Sequence, residues 1–179
     1  MAWQNHAAGF GLISRALHWA TAALILAQIA LGLGIARMQP DLSTLWLFGL
    51  HKSLGFTVLF VTLLRLVWHR ISPVPQPLGA ARSLPNRAAR AVHAALYLCL
   101  ILIPLTGWIA SSASGLEVVI FAHLTLPAIA PVSAAWETAG FALHAALVAA
   151  MAALLAVHIA GALLRAAKGD GTLSRMLRG

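Results

Sequence analysis

Four acidic side chains, one cysteine and one tyrosine are all that this chain of 179 residues contains, and charged residues make up only 9% of it. A soluble domain carries roughly a quarter of its residues as charge, so a water-solvated globule is disfavoured before any motif is read. The single cysteine, Cys99, allows no internal disulfide, and the absence of Cys-x-x-Cys-His excludes a covalently attached c-type haem. With so few acids, a buried carboxylate relay is also excluded.

What is present is apolar: 61% hydrophobic residues and a mean hydropathy of +0.88. A membrane span takes about 20 apolar residues, and four stretches qualify, at 17–36, 47–68, 91–110 and 140–164. The segments of alternating polarity that a barrel needs are missing, so the fold is all-α, one domain over residues 1–179: a four-helix transmembrane bundle. The first apolar run has full spanning length and no Ala-x-Ala site near its end, so it reads as a span rather than a cleavable leader.

The net charge of +8 is gathered between the spans, the pattern of membrane topology and anionic lipid rather than of nucleic-acid binding. Arg70, Arg82, Arg87 and Arg90 lie in the second connection and Arg165, Lys168, Arg175 and Arg178 in the tail, whereas 111–139 holds only Glu117 and Glu137. The positive-inside rule then places both termini in the cytoplasm. The second connection, with Pro73, Pro75, Pro77 and Pro85, should be partly extended, and the third, Gly115 to Val132, is expected to hold a short interfacial helix.

Chemistry is concentrated in the eight histidines, five of which (His18, His51, His93, His144 and His158) fall in spans, where an ionisable group marks function by default. His144 and His158 are 14 residues apart. That spacing brings them within about 40° of one helix face and about 21 Å apart along the axis. Given the topology, depth pairs His51 with His144 near the outer surface and His18 with His158 near the inner one. Structural zinc would want further Cys, Asp or Glu ligands at each level, and none occurs there. Two imidazoles per level suit b-type haem, one near each face.

The ordered set Ile13-Ser-Arg-Ala-Leu-His18-Trp19, Leu50-His51-Lys52-Ser-Leu-Gly55, Leu64-Arg65-Leu-Val-Trp68, Ile103-Pro104-Leu-Thr-Gly107 and Asp170-Gly-Thr-Leu-Ser-Arg175-Met176 resembles the bacterial cytochrome b561 family, close to its superoxide oxidase branch. The resemblance covers nearly the whole chain. It implies two haem b groups, held by the residues matching His18 and His158 on the cytoplasmic side and His51 and His144 on the periplasmic side. It also implies ubiquinone as electron partner and superoxide as donor. The chain departs from the pattern at Arg165, where the family often has a second histidine, and in a His158-to-Asp170 spacing about one residue short.

Other candidates carry two readings each. His93 either neighbours a haem ligand or a propionate, or replaces His18 or His158. Arg15, Arg65 and Arg70 are placed to pair with propionates, although topology alone would put arginines there. Lys52 either draws an anion such as superoxide towards the outer haem or snorkels to the interface. Pro104 and Gly107 allow close approach of a macrocycle or tight helix packing. His6, His69 and His123 lie outside this scheme. The competing functions are an electron conduit for a separate redox partner protein, and a colourless transporter or scaffold.

Overall fold

A computed structural model of the chain describes residues 2–39 and 41–179. It has four long helices, α1 (Leu12–Ile35), α2 (Leu45–Ile71), α3 (Leu84–Ala113) and α4 (Ala134–Ala167), each long and apolar enough to cross a membrane. Strands β1 (Val118–Ile120) and β2 (Leu124–Leu126) precede α4, and a short α5 (Thr172–Leu177) follows it. The helices extend past the apolar runs because residues such as Asn86, Arg87, Arg90 and Glu137 continue the same hydrogen-bond ladder where the surroundings become polar.

The chain divides into two compact units to which each long helix contributes a segment. Unit 1 comprises 1–21, 61–98 and 151–179; unit 2 comprises 22–60 and 99–150. Burial is inverted relative to a soluble protein. Thr21, Ser53 and Thr62 are at most 2% exposed, while Leu26, Phe60, Leu143 and Val157 are more than half exposed. Lipid is as apolar as leucine, so large side chains gain little by turning inward, and small residues are the ones that let helices approach. In unit 2 a Cβ on Gly140 would lie 2.9 Å from that of the fully buried Ala110, so α3 and α4 touch there almost backbone to backbone.

Helix ends are set by local chemistry. Ahead of α2, the Asp41 carboxylate accepts from the Ser43 amide and the Thr44 hydroxyl from the Asp41 amide, a reciprocal cap. The Ser43 backbone amide, then its hydroxyl, hold the Asp41 carboxyl below its ordinary value. Helix α4 ends in a Schellman motif: Gly169 takes φ 68°, its amide donates to Ala166 and the Asp170 amide to Arg165.

In unit 1, α5 is held to α1 through its last carbonyls. Arg15 Nη1 donates to Leu177 at 2.9 Å and Trp19 Nε1 to Met176 at 3.0 Å. Arg165 forms the one ion pair among the described residues, Nε to Asp170 at 2.6 Å, and also donates to Asn86 Oδ1 on α3 at 3.0 Å. Residues 73–77 have no regular structure, in keeping with their prolines.

The connection after α3 differs from expectation. In place of an interfacial helix there is an antiparallel hairpin, with Val118 opposite Leu126 and Ile120 opposite Leu124. The β-branched run Val118-Val119-Ile120 favours extended backbone. Its turn places Phe121 and Ala122 at φ 48° and 60°, values that suit hairpin twist but cost non-glycine residues free energy. The Phe121 amide donates to the buried Ser53 hydroxyl of α2 at 2.9 Å, which anchors the strained turn.

Burial alone would raise the Asp170 carboxyl, but the Arg165 hydrogen bond and those from the Thr172 hydroxyl and amide outweigh it, taking the group from 3.8 to about 2. A carboxyl lowered on folding stabilises the fold above its unfolded value and loses that contribution as the pH falls through the folded one. Asp170→Asn should therefore cost roughly 1 kcal/mol at neutral pH, the discounted value for a partly exposed pair. Thermal unfolding in detergent should show the gap in full above about pH 4 and closing towards pH 2.

Candidate haem sites

Each unit brings two of the candidate histidines close together. In unit 1, His18 on α1 and His158 on α4 have ring centroids 6.2 Å apart, tilted by 54°. His93 on α3 stands edge-on to His158 at 5.2 Å, with the rest of its side chain exposed. Arg65 on α2 points Nη2 at His18 Nδ1, 3.4 Å away, and its guanidinium lies 5.3 Å from the centre of the Tyr97 ring. His69 meets the other side of this group, 6.1 Å from Tyr97.

In unit 2, His51 on α2 and His144 on α4 have ring centroids 6.3 Å apart at 72°. His144 Nδ1 donates to the Ile103 carbonyl at 2.9 Å. Pro104 has no amide proton, so the ladder bond lost is the one to the Leu100 carbonyl, one turn earlier; the Ile103 oxygen also accepts from Thr106 Oγ1 at 2.9 Å. The Nδ1 hydrogen bond leaves Nε2 of His144 with its lone pair free for a metal. His51 Nδ1 is buried without a hydrogen-bond partner. Gln28 Nε2 donates to the His51 carbonyl at 3.0 Å, which ties α1 to this turn of α2.

Glycines make room for both rings. A Cβ on Gly32 would lie 3.2 Å from His51 Cε1, and one on Gly107 would lie 3.2 Å from both Cε1 and Nδ1 of His144. Each imidazole edge therefore rests against bare helix backbone. Two surface cavities, of about 260 and 370 Å³, adjoin the hairpin. Neither is lined by a histidine, so they stand apart from the paired rings.

The remaining candidates divide. Arg65 joins the His18 group, whereas Arg15 is occupied by the Leu177 carbonyl and Arg70 is exposed with no described contact to a histidine. Lys52, half-buried, donates Nζ to the Glu117 carbonyl at 3.3 Å. His123 and His6 are exposed. Sequence reasoning passed over Tyr97, Gln28 and the Ile103 carbonyl. Tyr97 lies seven residues from Arg90 and four from His93 on α3, and its being the only tyrosine, within a span, was the available signal.

Four apolar spans carrying two facing imidazole pairs are the features of a membrane protein built for redox chemistry, and residues 9–179 match the family described as prokaryotic cytochrome b561. The chain belongs to that family. It is 35% identical over 188 residues to Cytochrome b561 homolog 2 of Escherichia coli (strain K12), covering 99% of this chain and 95% of that one. Membership makes it a multi-pass membrane electron-transfer protein and implies haem b as its cofactor.

The residues present suit such a group. Two metal–imidazole bonds of about 2 Å each, with the two ring radii, account for centroid separations of 6.2 and 6.3 Å. No hydrogen bond joins the two rings of either pair among the described residues, and Gly32 and Gly107 leave space beside His51 and His144. Replacing Gly107 by Val would push the His144 ring from its rest and break its bond to Ile103. Haem affinity at that site should fall by roughly 10- to 100-fold, with a smaller loss for Gly107→Ala, both measured by haem retention through purification.

Proposed function

We propose that the chain carries two haem b groups, one ligated by His18 and His158 and the other by His51 and His144, and passes electrons from superoxide to ubiquinone. The observation that carries this reading is the near-equal separation of the two ring pairs, 6.2 and 6.3 Å, each with both histidines on different helices. Haem b held by two imidazoles at each site would supply a one-electron iron couple suited to electron transfer rather than oxygen binding.

Topology supports a direction of access. All lysines and arginines except Arg37 and Lys52 fall in unit 1. By the positive-inside rule this favours the cytoplasmic side of a bacterial inner membrane for both termini and for the helix ends near residues 71 and 84. The opposite helix ends then face the periplasm, where Lys52 next to His51 raises the local concentration of an anionic donor. On the other side, Arg65 lies beside His18, its Nη2 3.4 Å from the ring Nδ1. Arg15 and Arg70 contribute further positive charge at these helix ends, and His93 packs against His158.

In the overall reaction two superoxide anions each lose one electron and leave as dioxygen. Ubiquinone gains the two electrons and two protons and leaves as ubiquinol. The chain's side chains attract the anion and hold the electron carriers, while the surrounding lipid delivers the quinone.

Dithionite-reduced minus oxidised spectra should show low-spin b-type bands, with about two haems per chain by pyridine haemochrome; colourless protein would refute the reading. His144→Ala should lose one haem and keep the other. Superoxide pulses should reduce the oxidised protein in one fast phase, slowed by Lys52→Glu in a salt-dependent way. Reduction by a partner protein but not by superoxide would make the chain an electron conduit instead.

A further inference from the structure

In unit 1 a buried positive charge has no carboxylate to meet. Arg65 is half-buried, its Nε is enclosed without a hydrogen-bond partner, and its Nη2 lies 3.4 Å from Nδ1 of His18. Contact with the Tyr97 face at 5.3 Å steadies the guanidinium without neutralising it. The only carboxylate side chain in unit 1 is Asp170, and Arg165 holds it at 2.6 Å. The other imidazoles of the cluster, His93 and His158, bring no negative charge.

The electrostatics of unit 2 have the opposite sign. There the nearest hydrogen-bonding group to a paired imidazole is an acceptor, the Ile103 carbonyl oxygen, which takes the Nδ1 proton of His144 at 2.9 Å. The unit's two cations face elsewhere: Lys52 Nζ reaches the Glu117 carbonyl, and Arg37 is exposed. A carbonyl accepting from Nδ1 makes the imidazole a stronger donor to iron and favours the oxidised metal. A permanently charged guanidinium beside the ligand disfavours the oxidised metal, because oxidation adds positive charge close to an existing one.

We infer that Arg65 sets the two haem potentials apart: it raises the potential of the haem held by His18 and His158 above that of the haem held by His51 and His144. The inference rests on the proposed ligand pairs. Its consequence is a preferred direction of electron flow, from the His51–His144 site to the His18–His158 site, written into one side chain. Arg65 acts on the reaction through charge and through His18, and is thus a positioning residue.

Potentiometric titration of the full-length protein, followed by the visible bands of both haems, tests this. Arg65→Gln should shift the higher-potential step downward by tenfold or more in its reduction equilibrium, about 59 mV for one electron, and leave the lower step in place. Arg65→Lys, which keeps the charge, should hold both steps near their original positions. In a His144→Ala background the single remaining haem should still respond to Arg65→Gln, which assigns the moving step. The inference is overturned if Arg65→Gln moves neither step, moves both equally, or moves the lower one. It is also overturned if Arg65→Lys shifts the potential as far as Arg65→Gln, or if Arg65→Gln costs that haem altogether while Arg65→Lys keeps it unshifted, since Arg65 would then anchor the haem rather than tune it. A different pattern marks failure of the ligand assignment itself: a full haem complement retained in His158→Ala, or haem absent from the unaltered protein.

Discussion

An imidazole in a membrane span has few ways to satisfy two ring nitrogens. Water is excluded, carboxylates are nearly absent from this chain, and backbone carbonyls of a regular helix are already engaged. Most of the local structure around the histidines answers this constraint. His144 shares the Ile103 carbonyl with the Thr106 hydroxyl. His18 meets a guanidinium instead, and the paired rings stand with centroids 6.2 and 6.3 Å apart. A metal that accepts two nitrogen lone pairs resolves what hydrogen bonding within the protein leaves open.

The two halves of the problem are solved with different materials. Unit 2 uses neutral dipoles and bare helix surfaces: the carbonyl at position 103 and the glycines at 32 and 107. Unit 1 uses charge and aromatic faces, with Arg65 set between His18 and Tyr97 and a second arginine, Arg165, joining α4 to α3 and to Asp170. The difference follows from composition. Nearly all of the basic residues were available to unit 1, and the buried polar side chains of unit 2 are all serine or threonine.

The four spans were legible in the sequence because hydropathy measures directly what lipid demands of a segment. The helix ends were not, since a helix continues through Asn86 or Glu137 once its ladder has begun, and α5 is too short to leave a periodic signature. The hairpin was misread as a helix because a run of three residues in each strand carries little pattern, and its turn uses Phe121 and Ala122 where glycine or asparagine would have signalled it. The facing of His18 with His158 and of His51 with His144 followed from depth along helices. Contacts made by backbone atoms or fixed by side-chain direction, such as Ile103 with His144, Arg15 with Leu177 and Arg65 with Tyr97, have no counterpart in residue spacing.

The acceptor for His144 is a main-chain oxygen, and every amino acid has one. Substitution at position 103 can change volume and shape there but cannot delete the acceptor, so the orientation of this imidazole is insulated from mutation at the very residue that holds it. Genetic control has moved along the chain, to Thr106, whose hydroxyl shares the same oxygen, and to Gly107, which leaves room for the ring. Sequence drift in this turn of α3 should therefore be free at 103 within limits of size and constrained at its neighbours.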